Sequence, residues 1–355
     1  MISPSHRSPL FPGVPLALAS AVLFGATAPL SKLLLGAVNP WLLAAILYLG
    51  AGLGLAALQT VRGLIGLPNA EAPLTRKDWP WLAAVVAFGG VLGPVLLMFG
   101  LSRTTGSTGA LLLNLEGLAT MAIAWLVFRE NVDRKLLLGA GAILAGAVLL
   151  SWNGGTVALD PGALLIAGAC LAWGIDNNLT RKLSAADPVQ IATIKGVVAG
   201  TVNLGLALAT GATLPAPGLI AAGAVLGVFG IGVSLVLFML GLRHLGAART
   251  GAYFSLAPFI GAVLALIVLG EPPTAMLAIA AALMGLGLWL HLSERHAHQH
   301  RHEALEHEHR HVHDAHHRHT HEGPVTEPHS HLHRHEPMAH SHPHYPDLHH
   351  RHGHG

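Results

Sequence analysis

The chain has 355 residues, of which 52% are hydrophobic and only 11% charged, with 42 Gly and 22 Pro. Soluble domains carry about 25% charged residues, so composition excludes an ordinary water-soluble enzyme. Net charge is +2 with histidine neutral, and no block is basic enough for a nucleic-acid groove. A mean hydropathy of +0.55 hides two regimes. Residues 14–292 are apolar, while 295–355 hold 23 of the 26 histidines. Cys170 is the single cysteine, so no intrachain disulfide is available. It sits in an apolar run and reads as a small buried hydrophobe.

A bilayer core of about 30 Å takes about 20 apolar residues per helix. Breaking the body at charges, prolines and polar loops predicts ten spans: 14–36, 40–61, 80–100, 108–128, 136–152, 162–180, 189–210, 218–241, 250–269 and 274–292. Most are rich in Leu, Ala, Val and Gly without period-2 alternation, which predicts a helix bundle rather than a barrel. The first span follows Arg7 and carries Ala26-Thr27-Ala28, a triplet like a signal-peptide cleavage site. The internal repeat argues that it is retained. With the N-terminus in the cytoplasm, inner segments hold twelve Lys and Arg and outer segments only Lys32 and Arg103. That asymmetry predicts both termini, and the tail, on the cytoplasmic side of the plasma membrane.

The two halves of the body resemble each other. Phe24-Gly25 through Leu30-Ser31-Lys32 lies over Trp173-Gly174 through Leu179-Thr180-Arg181, and Asn39-Pro40 over Asp187-Pro188. Gly100-Leu101 through Gly109-Ala110 matches Gly241-Leu242 through Gly251-Ala252, and Arg129-Glu130 matches Gly270-Glu271. Five spans per half is an odd number, so the second half enters the membrane upside down, as in carriers whose site lies between inverted halves. The expected organisation is a cytoplasmic N-terminus (1–13), a first five-helix repeat (14–152), an outer linker (153–161), a second repeat (162–292) and a cytoplasmic tail (293–355).

These paired halves, the two aromatic-Gly segments, Gly270-Glu271 closing the ninth span and Arg129-Glu130 in the matching place resemble the EamA-type family of the drug/metabolite transporter superfamily. The resemblance covers about residues 14–292. It implies an all-α integral membrane protein of ten helices with a central cavity open alternately to each side. It also implies transport of amino acids, metabolites or drugs, often outward. The family has no single substrate motif, and the histidine tail departs from its pattern.

A charge at the bilayer centre costs about 2.5–3.5 kcal/mol on insertion scales, so intramembrane polar residues mark candidates for solute or proton. Asp176-Asn177-Asn178 sits near the inner end of the sixth span and Lys195 near that of the seventh. At about 1.5 Å per residue both lie about 9 Å from the inner face. Two readings stand: Asp176 and Lys195 pair or jointly hold a zwitterionic or charged solute, or they are a helix-end carboxylate and a snorkelling amine. Thr27 and Leu47 replace them in the first half. Asn114 and Glu116 lie in the fourth span. Glu116 is the acidic residue nearest the midplane, a candidate proton carrier or a hydrogen-bonded structural group; Pro258 is its counterpart. Trp173 is a candidate cavity wall or packing residue. Lys32 and Arg103 read as interface anchors, and Glu130 and Glu271 as structural caps.

The tail alternates His with other residues and has too little apolar content for a core, so disorder is expected. Imidazoles without thiols suit weak, exchangeable Zn, Ni, Co or Cu. The candidates include His296, His298, His300, His302, His307, His309, His311 and His313. No cofactor is required for transport. Two functions compete: a secondary transporter of small organic solutes with the tail as accessory, and a transition-metal efflux or metal-responsive carrier. Against the second, the apolar body holds almost no His, Cys or acidic cluster to relay a metal. An intramembrane enzyme lacks its motifs: there is no His-Glu-x-x-His and no Gly-x-Ser-x-Gly.

Overall fold

The computed structural model describes residues 13–66, 74–128, 134–152, 160–183, 186–245 and 247–293 of the body, and 297–301, 305–311, 329–335 and 339–343 of the tail. Among the described residues the body makes ten helical passes. They are α1 (Gly13–Leu34), α2 (Pro40–Leu64), α3 (Trp79–Arg103), α4 (Gly106–Val127), α5 (Arg134–Leu150), α6 (Pro161–Thr180), α7 (Pro188–Ala209), α8 (Pro217–Leu242), α9 (Arg249–Val268) and α10 (Ala275–Leu292). Eight are long and apolar enough to cross a membrane. In the other two, Arg134-Lys135 shortens the apolar run of α5, and Asp176-Asn177-Asn178 dilutes that of α6. The protein is therefore a multi-pass, nearly all-helical membrane protein, and every pass begins and ends within a few residues of its expected place.

Local chemistry explains the ends. Asn39 and Asp187 each precede a proline at the first helical turn, and their side chains accept from Trp41 N at 2.9 Å and Val189 N at 2.8 Å. Each cap satisfies an amide that the helix leaves orphaned. Gly66 and Gly211 take φ of 72° and 78° just past α2 and α7, a conformation that ends a helix at little cost only in glycine. The same start and stop devices thus serve two helices that the repeat equates.

Lipid offers no hydrophobic drive between helices, so close backbone approach must hold the bundle. Helices α2 and α7 cross at Gly52 and Gly196, where a Cβ on Gly52 would lie 2.5 Å from Val197 N and one on Gly196 2.7 Å from the Cα of Gly52. Helices α5 and α10 do the same at Gly139 and Gly287. In both cases a helix packs on its own repeat mate. Neighbours are also exchanged between the halves: α1 packs on α8 and α9, and α6 packs on α3 and α4. Outward faces carry Leu53, Leu126, Ile267 and the indoles of Trp79, Trp125, Trp152 and Trp289, all exposed as lipid contact requires.

Two interruptions recur at matched places. Helices α4 and α9 are broken by turns at 113–114 and 255–256. Helices α3 and α8 wind as π-helix over Val86–Leu92 and Gly227–Val233.

In the tail, β1 (Ala297–Arg301) pairs antiparallel with β4 (Ala339–Pro343), and β2 (Leu305–His311) with β3 (His329–His335).

Candidate functional site

The site grows from the π-helical break of α3. A π-turn loosens the ordinary ladder and offers carbonyls to other donors. The Gly89 carbonyl accepts from Tyr48 OH of α2 at 2.9 Å and from Trp173 Nε1 of α6 at 3.0 Å. The Gly90 carbonyl accepts from Asn203 Nδ2 of α7 at 3.2 Å. Three neighbouring helices therefore pin the break in place.

Against Gly89 stands an ion pair. Lys195 Nζ donates to Asp176 Oδ2, and Thr180 Oγ1 donates to Asp176 Oδ1 at 3.3 Å. The side chains are 19% and 6% exposed, so the lysine keeps the open edge and the carboxylate is enclosed. A Cβ on Gly89 would collide with the Asp176 carboxylate and lie 2.6 Å from Lys195 Nζ. Glycine is what leaves room for the pair.

A second polar group lies between α4 and α6. Asn177 Nδ2 donates to Glu116 Oε1 at 3.0 Å and to Thr120 Oγ1 at 3.1 Å, and Thr120 Oγ1 donates to the Glu116 carbonyl at 2.9 Å. Asn177 is exposed and Glu116 half-buried. Asn178 is buried, donating to the carbonyls of Thr120 at 3.0 Å and Gly174 at 2.8 Å. Among the described residues the Oδ1 atoms of Asn178 and Asn203 have no partner. Three consecutive residues of α6 thus serve two clusters, as rotation by about 100° per residue dictates.

Of the expected residues, Asp176, Asn177, Asn178, Lys195, Glu116 and Trp173 come together around α3, α4, α6 and α7. Asn114 does not join them: its Nδ2 donates to the Leu111 carbonyl at 2.8 Å and faces Met284 Sδ at 3.8 Å. It serves the turn that breaks α4. His298, His300, His307, His309 and His311 lie on β1 and β2, while His296, His302 and His313 lie outside the described residues. Among the described residues no three His, Cys, Asp or Glu gather as a metal centre. Sequence reasoning missed Tyr48, Thr120 and Asn203. The available signals were Gly89-Gly90 inside an apolar span, a lone tyrosine and a lone asparagine.

The positions equated by the repeat make matching contacts with different chemistry. A Cβ on Gly230, in the π-segment of α8, would meet Thr27 Oγ1 at 2.6 Å, as one on Gly89 would meet Asp176.

Comparison with known proteins agrees with this architecture. The profile of the EamA-like transporter family matches twice, over residues 11–152 and 160–293. An "Uncharacterized transporter" of Methanothermobacter thermautotrophicus is 30% identical over 280 residues, covering 75% of this chain and 81% of the relative. A "Probable terminal-alkyne amino-acid exporter" of Streptantibioticus cattleyicolor is 24% identical over 230 residues, covering 64% of this chain and 76% of the relative. One solved crystal structure of a protein 22% identical superposes with a TM-score of 0.58, over 79% of this chain and 95% of the other, and shares the fold. With two matches spanning the whole helical body, the chain belongs to the EamA-like transporter family.

Proposed function

We propose that the protein is a secondary transporter of small organic solutes (amino acids, metabolites or drugs) that exports them by alternating access. The observation that carries this reading is the half-open Asp176–Lys195 pair beside the Glu116–Asn177 contact, inside an otherwise apolar body. A helix bundle gains nothing from such groups in lipid, where each charge is costly. A solute bearing both signs, or an amine, exchanges contacts with them. Glu116 is the proton carrier of the cycle, half-buried and held by a neutral amide rather than by a cation. The name of the Streptantibioticus relative supports an amino-acid-like solute. In this reading the halves have opposite polarity, and both termini face the cytoplasm across the plasma membrane.

The test is reconstitution of the full chain into vesicles with a panel of amino acids, amines and drugs. An imposed pH gradient accelerates movement of at least one solute, and Glu116→Gln abolishes the acceleration. A variant that still responds like the parent ends the proton role.

A second reading concerns the tail alone, as an accessory that binds Zn, Ni, Co or Cu weakly. It is favoured by the strand register, which sets His298 opposite His342, His300 opposite His340, His307 opposite His333 and His309 opposite His331. Truncation after Leu292 removes metal binding and leaves solute transport intact.

A further inference from the structure

Glu271 sits in the turn after α9 and belongs to the second half, yet its carboxylate is spent on the first. Oε1 accepts from Gly106 N at 2.5 Å and Oε2 from Ser107 N at 2.9 Å, at the start of α4. Both carboxylate oxygens thus take charge-assisted bonds from backbone across the boundary between halves. Beside them Lys32 Nζ donates to the Leu101 carbonyl at 2.6 Å and braces α1 on α3.

The repeat shows what this tie accompanies. Near the start of α4, a Cβ on Gly109 would collide with Leu101. Ala110 is 1% exposed and lies 3.1 Å from where a Cβ of Gly261 on α9 would stand. The equated residues near the start of α9 are Gly251 and Ala252. They are half-exposed, and a Cβ on Gly251 meets nothing within 4 Å. At this matched pair the α4 end is packed where the α9 end is half-exposed.

We infer that Glu271 is the latch of the packed end. With its carboxylate on Gly106 and Ser107, α4 is held against α9; release of the carboxylate lets the two part while the opposite end closes. The inference rests on the alternating-access reading but needs no solute for its test, so failure to find a substrate leaves it standing.

The experiment uses the full chain with Cys170→Ser, reconstituted, carrying either Ala110→Cys or Gly251→Cys and labelled with a water-soluble maleimide. Adding Glu271→Gln raises the labelling rate of the Ala110→Cys protein about fivefold or more and lowers that of the Gly251→Cys protein. Glu271→Asp keeps the charge at shorter reach and gives a smaller rise at position 110; it serves alone if the Gln variant does not fold. An unchanged rate at position 110 overturns the latch. So does a rise at both positions, which marks a cap whose loss merely loosens the bundle.

Discussion

The wall built from α3, α4, α6 and α7 and the wall built from α8, α9, α1 and α2 use one scaffold for two purposes. Both have a π-helical segment, a glycine against the helix of the other half, and a broken fourth or ninth pass. In the first, the glycine faces Asp176 paired with Lys195, and Glu116 meets Asn177. In the second, the corresponding residues are Thr27, Leu47 and Pro258. Backbone irregularity is therefore a property of the repeat, and charge is a property of one wall, to which both copies contribute: Glu116 from the first, Asp176 and Lys195 from the second. The duplicated family domain accounts for the shared frame, and the charged side chains distinguish the two walls.

Breaking the charged wall has the largest expected effect. Lys195→Ala leaves the Asp176 carboxylate enclosed without a partner, which destabilises by on the order of 3 kcal/mol. The double variant Asp176→Asn with Lys195→Met removes both charges and recovers most of that loss in thermal unfolding, yet remains inactive in transport. Recovery of transport along with stability would make the pair structural.

A smaller effect sharpens the contrast between the walls. Gly89→Ala drives a methyl into the Asp176 carboxylate, and transport falls by about tenfold or more because the site is displaced by a sizeable fraction of an ångström. Gly230→Ala collides with the Thr27 hydroxyl, which turns aside, and otherwise makes ordinary contacts with the Leu23 carbonyl and Leu226, so transport falls far less. Equal losses would mean that both walls serve the solute alike. Smallest is Tyr48→Phe, which deletes one of two bonds to the Gly89 carbonyl. A net cost of about 1 kcal/mol follows, read as a modest drop in melting temperature with transport retained.

Much of the frame was legible in the sequence because lipid imposes a severe rule: each pass must satisfy its own backbone over about 20 residues. Asn39-Pro40 and Asp187-Pro188 announced two helix starts for a local reason, a side-chain acceptor before a residue with no amide hydrogen. Depth arithmetic on consecutive antiparallel helices put Asp176 and Lys195 at one level and left two readings open, of which the structure shows the pair. The π-segments were not legible. They depend on which carbonyls find donors on other helices, and Tyr48, Trp173 and Asn203 are remote in sequence from Gly89-Gly90. Asn114 misled for a related reason: it lies in the turn that breaks α4, where its amide donates to the Leu111 carbonyl rather than facing Glu116. Glu271 read as a cap, which it is, but the amides it caps belong to the other half.

The account depends most on the two halves being threaded through the membrane with opposite polarity. Impermeant thiol labelling of Cys170→Ser protein carrying Ala37→Cys or Lys182→Cys, at the exposed turns that follow α1 and α6, tests this directly in intact cells and in inverted vesicles. The account predicts that the Ala37→Cys protein reacts only from outside and the Lys182→Cys protein only from the cytoplasmic face. Reaction of both from the same face would contradict it.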